Sequence, residues 1–213
     1  MKWVLIIAGV VALGLAGLVA VWVWVVQNVE TPPHEVLRAE GAIELRRYPP
    51  LVVAEVARDG PRREALGAGF GPLARYIFAR ERAGPKIAMT APVTQSPAGE
   101  GWTVAFIMPS DAALADLPAP VQDEVRLVER PAATRAAIRF PGHASDADIA
   151  EQERRLRDWI AREGLEPAGP PVYAYYNDPL TPGFLRRNEV LIEVAGPVGG
   201  TAARDAASTV PAD

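Results

Sequence analysis

The chain is 213 residues long, enough for one domain with appendages or at most two small domains. Its formal net charge of -4 argues against a nucleic-acid partner, which needs a basic footprint. It contains no cysteine, and this excludes disulfides, thiolate metal sites and thiol nucleophiles together.

Trp3 to Val26 is a run of 24 residues without a charge. As a helix it would be about 36 Å long, enough to cross a hydrocarbon core of about 30 Å. The run is too long for a signal-peptide core and no A-x-A cleavage pattern follows it, so residues 1–28 read as a membrane anchor, with an uncleaved signal-like segment as the alternative. Trp3, Trp22 and Trp24 suit the two membrane–water interfaces. Lys2 precedes the span, whereas Glu30 and Glu35 follow it before the first arginine at Arg38, which places the N-terminus in the cytoplasm and the rest of the chain outside it. Ala8, Ala12, Ala16 and Ala20 form a small-residue stripe, equally compatible with pairing two anchors and with facing lipid.

Thr31-Pro32-Pro33 reads as the core of a stiff linker over residues 29–40, ahead of a domain at 41–195. Ile43-Glu44-Leu45 and Leu51–Val56 read as strands around Pro49-Pro50. Leu66, Phe70, Leu73 and Ile77 recur at helical spacing, but Gly67, Gly69 and Gly71 oppose a helix, so the expected helix starts with Pro72 in its first turn and runs to about Arg82. Lys86–Val93 reads as a strand ending at Pro92, followed by a turn at Ser96–Gly101 and a strand at Trp102–Met108. Val125–Val128 and Arg135–Phe140 are further strands. Ser145 with Asp148 three residues on predicts a capping box, opening a helix whose apolar face is Ile149, Leu156, Trp159 and Ile160 and which Gly164 ends. Val172–Tyr176 and Glu189–Val194 complete the strands, and residues 196–213 read as a disordered tail.

The order strand–strand–helix–strand–strand thus occurs twice. At an offset of 82, Ile43/Val125, Leu45/Leu127, Pro49/Pro131, Ala54/Ala136, Val56/Ile138 and Gly60/Gly142 match. This predicts an α+β domain with an internal repeat, in halves at about 41–110 and 123–195.

The histidines, His34 and His143, are too few for a structural zinc site, and each reads as a solvated or capping residue. Met89 and Met108 are commoner as core fillers than as iron ligands. The outer edge of the Phe70–Ile77 helix is a candidate surface for a planar ligand. Tyr175 or Tyr176 with Glu189 is a candidate acid/base pair, with a buried structural hydrogen bond as the commoner alternative.

Tyr48-Pro49, Arg75-Tyr76-Ile77, Lys86-Ile87-Ala88-Met89-Thr90-Ala91-Pro92-Val93 and Arg187-Asn188-Glu189-Val190 resemble the blocks of the SOUL haem-binding protein family, in the same order. Phe106-Ile107-Met108-Pro109 and Phe140-Pro141-Gly142 fall where that family has similar blocks, so the resemblance runs from about Ile43 to Val194. It implies a twisted antiparallel β-barrel with two helices and a pseudo-twofold repeat, similar to GyrI-like effector-binding domains, here preceded by one transmembrane helix. It also implies non-covalent binding of haem or a related tetrapyrrole in an apolar cleft beside the first helix. Phe70, Leu73, Ala74, Arg75, Ile77 and Met89 are the expected cofactor-binding residues, with Arg75 facing a propionate. Some members carry a histidine where this chain has Arg47, so no strong axial ligand is expected. The leading expectation is therefore a membrane-anchored tetrapyrrole-binding protein rather than an enzyme. The alternatives are a small-molecule hydrolase using the Tyr/Glu pair and an interaction domain without a ligand.

Overall fold

The computed structural model describes residues 29–196, together with Gly14 and Gly17. The expected anchor at 3–26 and the tail beyond Gly196 lie outside the described residues. Among the described residues no helix is long and apolar enough to cross a membrane.

The strands are β1 (Glu35–Glu40), β2 (Ile43–Tyr48), β3 (Leu51–Arg58), β4 (Val93–Ala98), β5 (Gly101–Ile107), β6 (Arg126–Arg130), β7 (Ala133–Phe140), β8 (Glu166–Pro167), β9 (Val172–Tyr175) and β10 (Asn188–Ala195). The helices are α1 (Arg62–Ile77) and α2 (Asp146–Arg162). All the strands join one antiparallel sheet in the order β1-β2-β7-β10-β9-β4-β5-β3-β6, with β8 pairing β10 off that path. Leaving out β1, the order reads the same from either end once β2, β3, β4 and β5 are exchanged for β6, β7, β9 and β10. The offset of 82 carries β3 onto β7 end to end.

The expected barrel is not closed. The sheet ends at β1 and β6, which do not pair with each other. Closure would need the outer edge of β2, and β1 occupies that edge from Glu35↔Arg47 to Glu40↔Ile43. Residues 35–40, expected within a linker, are therefore part of the sheet.

Alternation along the strands divides the sheet into two faces. On one face, α2 lays Ile149, Leu156, Trp159 and Ile160 against Ile43, Leu45, Ile138, Val190 and Ile192. On the same face of the other half, α1 lays Leu73, Tyr76 and Ile77 against Ala54, Val56, Val104 and Phe106. Each such valine, leucine, isoleucine or phenylalanine side chain, fully buried, contributes about 1.5–3 kcal/mol of transfer free energy. Among the described residues the opposite face carries no helix; Tyr48, Ala137, Ala174 and Leu191 cluster there, beside Val53, Ala105 and Ile107.

The predicted capping box of α2 is present. Ser145 Oγ accepts from Asp148 N at 3.1 Å, and Asp148 Oδ2 accepts from Ser145 N at 3.1 Å. Helix α1 differs from expectation: it begins ten residues before Pro72, which lies inside it. Gly69 belongs there because the helix rides close on the sheet, where a Cβ would come 2.7 Å from Val104 Cβ. Proline cannot donate to the carbonyl of Ala68, and Arg58 Nε donates to that oxygen instead at 3.3 Å.

The expected strand at Lys86–Val93 is also corrected. Pairing starts only at Val93, preceded by a lone parallel bridge between Thr90 and Glu30. Upstream, the backbone donors go elsewhere: Ile87 N to Ile77 O and Ala91 N to Glu30 O, each at 2.8 Å. The segment therefore ties the end of α1 to the entry of the domain.

The halves meet where β4 pairs β9, over Val93↔Tyr175, Thr94↔Ala174 and Gln95↔Tyr173. A buried polar cluster locks this seam under the helix starts. Gln95 Nε2 donates to Arg62 O at 2.8 Å, Tyr175 donates to Gln95 Oε1 at 3.2 Å, and Arg62 reaches Tyr175 and Asp146 at 2.6 Å each.

Candidate functional site

Beginning α1 at Arg62 brings Arg63, Gly67, Phe70 and Ala74 into one stripe, because positions three and four apart share a helix face. The stripe is about 16 Å long at 1.5 Å per residue. Gly67 faces open space, with nothing within 4 Å of a Cβ built on it. Phe70 is 43% exposed while one edge of its ring rests on Phe106, with centroids 5.2 Å apart. Beside the helix start, Arg63 Nη2 donates to His143 O at 3.2 Å. The loop that follows β9 packs there through Gly183, whose Cβ, if present, would meet His143 Nε2 at 2.7 Å. That loop exposes Leu180, Phe184 and Leu185. The outer side of α1 therefore offers a flat strip with one aromatic ring and a cation at one end. A planar apolar ring system with carboxylate arms fits such a strip, stacking on Phe70 while guanidinium pairs with carboxylate.

The expected site residues divide on this helix. Phe70 and Ala74 lie on its outer stripe. Leu73 and Ile77 point inward, 0% and 1% exposed, and serve the core. Arg75 is ion-paired with Glu81 at 3.0 Å and lies 3.8 Å from Glu124, so its charge is already engaged. Met89 is 45% exposed in the segment beyond the C-terminal end of α1. Arg63 was missed because the glycines hid the first turns of the helix. Its doublet with Arg62 directly after Gly60-Pro61 was the available signal: a turn, then a proline at the N-cap.

The expected Tyr176–Glu189 contact exists on the helix-free face. Tyr176 donates to Glu189 Oε2 at 2.8 Å. Arg46 donates to the same carboxylate at 2.7 and 3.1 Å, and Arg187 donates to Oε1 at 2.8 and 3.0 Å. Burial pushes the Glu189 carboxyl up, but the hydrogen bonds and charges of Arg46 and Arg187 outweigh it and hold the carboxyl below its ordinary value. Burial, then the Glu189 charge, pushes Tyr176 well above the ordinary phenol range. Five donors on one ionised carboxylate fill its lone-pair sites. The result is a weak base beside a weak acid, which suits a structural network better than proton transfer.

Arg47, where some family members carry histidine, points outward and pairs with Glu35 at 2.8 Å. His34 is half-buried, with its ring 5.0 Å from that of Tyr48. The helix-free face also holds an open cleft of about 980 Å³ with its mouth included.

A large antiparallel sheet with two helices on one face defines an α+β class of domain. The solved structures similar to it share this fold. The C-terminal domain of EcmrR has a TM-score of 0.57 at 14% identity, covering 72% of this chain and 96% of that one. A hydrolase from Listeria innocua has a TM-score of 0.52 at 11% identity, covering 74% of this chain and 94% of that one. Residues 29–193 match the family described as SOUL heme-binding protein. The chain belongs to that family. Among its relatives, Heme-binding protein 1 of Sus scrofa is 27% identical over 191 residues, covering 85% of this chain and 96% of the relative. Heme-binding protein 2 of Homo sapiens is 31% identical over 176 residues, covering 76% of this chain and 84% of the relative.

Proposed function

We propose that this protein binds haem or a related tetrapyrrole non-covalently along the outer stripe of α1, at a membrane surface to which residues 3–26 tether it. The observation that carries the reading is the flat strip at Gly67, Phe70 and Ala74, which leaves a macrocycle room to lie against the helix. Arg63 supplies a cation for one propionate. The family relatives named for haem binding support the choice of ligand. The His143 ring lies beside Gly183, and Arg47, a guanidinium that keeps its proton and pairs with Glu35, is no iron ligand, so no axial ligand is assigned. Bound haem would bring its own redox and gas-binding chemistry; the chain contributes the apolar face, the cation and partial shielding from water.

The test is a haem titration of the full chain, followed at the Soret band. A saturable shift at micromolar haem is expected, weakened about tenfold or more by Phe70→Asp or Gly67→Glu and less by Arg63→Gln. A shift that never saturates, or that survives all three changes, overturns the reading.

The tether has its own test. Full-length protein should stay in the membrane pellet after a high-salt wash, and removal of residues 3–26 should release it. Protease added outside sealed cells should cut the domain if the N-terminus is cytoplasmic; protection would reverse the orientation.

A further inference from the structure

The cleft on the helix-free face lies across the seam, and its walls come from both halves of the sheet. Its floor is apolar and low, built from Leu51, Val53, Ala105, Ile107 and Val172. Thr94, Ser96 and Thr103 give it a hydroxyl rim, and Pro131, Gly169 and Pro170 stiffen the mouth. About 230 Å³ of it can be reached by the centre of a water molecule, somewhat below the roughly 300–1,000 Å³ of drug-sized sites, which limits the occupant to a small molecule. The stripe on α1 lies on the other face of the sheet, so the two surfaces are separate.

The charge on the wall is specific. Arg130 and Arg135 both line the cleft. Arg130 is bonded to Glu55, which Arg126 also approaches at 3.6 Å. Arg135 is different: its side chain is only 19% exposed, yet its charge partner among the described residues, Glu193, stands at 3.9 Å, the outer limit of an ion pair. The Tyr48 ring lies 5.7 Å from its guanidinium carbon. Burial lowers its affinity for its proton, with Glu193 and Tyr48 offsetting only part of that effect. A guanidinium offers five donors in a planar fork, and those of Arg135 make no hydrogen bond among the described residues. The charged residues that line the cleft are thus two arginines, Arg130 and Arg135, and one carboxylate, Glu193, in a chain whose net charge is -4.

We infer that this cleft is a second binding site, for a small planar carboxylate whose acid group docks on Arg135 and whose apolar body lies on the Val53–Ala105–Ile107 floor. The fork matches a carboxylate in two parallel hydrogen bonds, and a partly desolvated cation strengthens both. The short floor side chains favour a flat body over a branched one. This site does not depend on the tetrapyrrole reading.

The test uses 2-naphthoate as the probe and the uncharged 2-naphthamide as its control. Each is titrated calorimetrically into the full chain in non-ionic detergent, with empty micelles subtracted. One naphthoate per chain is expected, with naphthamide at least tenfold weaker. Arg135→Gln should weaken naphthoate about 10- to 100-fold, as loss of charge-assisted bonds does. Thr103→Trp, which fills the cleft and leaves the Arg135 side chain in the sequence, should abolish binding, and both variants should keep the wild-type circular dichroism and haem titration. Equal binding of the amide, or unchanged binding in folded Arg135→Gln or Thr103→Trp protein, overturns the proposal. Competitive displacement of naphthoate by haem overturns the separateness of the site. Failure of the chain to bind haem leaves this proposal standing.

Discussion

Replacing Glu189 by Gln probes the network that joins β2 to β10. The change keeps the size of the side chain and removes its charge, leaving Arg46 with a side chain 4% exposed and its main counter-charge gone. Breaking one partner of a buried ion pair costs about 3–5 kcal/mol. Arg46 keeps Glu44 at 2.7 Å, and Glu44 is partly exposed, so the lower end, about 3 kcal/mol, is the expected loss. For a domain of this size that corresponds to a fall in Tm of roughly 6–12 °C. Urea unfolding followed by circular dichroism measures it directly. The charge also sets a pH dependence. The folded carboxyl is held below its ordinary value, so its contribution is complete above the unfolded carboxylate pKa of about 4.3 and is lost as the pH falls through the folded value. Wild-type protein should therefore lose more stability on acidification than the Gln variant. A loss below about 1 kcal/mol, with parallel acid profiles, would refute the assignment of Glu189 as the anchor of Arg46. Replacing both residues by apolar ones, Arg46→Met with Glu189→Leu, should recover much of the loss.

Three further outcomes follow from packing. Gly69→Ala gains about 1 kcal/mol of helix propensity, but its Cβ would sit 2.7 Å from Val104 Cβ, and overpacking costs about 1–3 kcal/mol; denaturant titration should show a net loss. Leu73→Ala should cost about 2–5 kcal/mol by opening a cavity against the sheet while leaving the haem affinity of the folded protein unchanged, since its side chain does not reach the outer stripe. Trp159→Phe removes the bond from Trp159 Nε1 to Glu40 Oε2 at 3.0 Å, and hydrogen exchange should show faster opening of β1 than of β2.

The sequence carried the repeat, most of the strands and the second helix because alternation, capping and amphipathic spacing are local signals. Ser145, Asp148 and the Ile149–Leu156–Trp159–Ile160 face acted together, so α2 was legible almost to its ends. The start of α1 was not. Three glycines and a proline oppose a helix locally, and their reason is tertiary: close approach at Gly69, a free surface at Gly67 and a substitute donor from Arg58 at Pro72. Lys86–Val93 reads as extended, but whether such a segment pairs depends on distant partners, here Ile77 and Glu30. The open barrel was hidden for the same reason, because β1 has little apolar alternation and only its pairing with β2 reveals it. Of the candidate site, Phe70 and Ala74 were legible from helical spacing. Arg63 and the cleft at Arg135 required the three-dimensional arrangement.

A sheet that stops short of closing also keeps two strand edges whose backbone could template another chain. Both edges are guarded by charge. Strand β1 carries Glu35, Arg38 and Glu40, all exposed, and β6 carries Arg126, Glu129 and Arg130. A second copy approaching edge to edge would have to desolvate these groups before gaining a ladder. An open rim thus leaves the face opposite the helices reachable from solvent while discouraging a strand from docking beside it, so the gap does not invite aggregation.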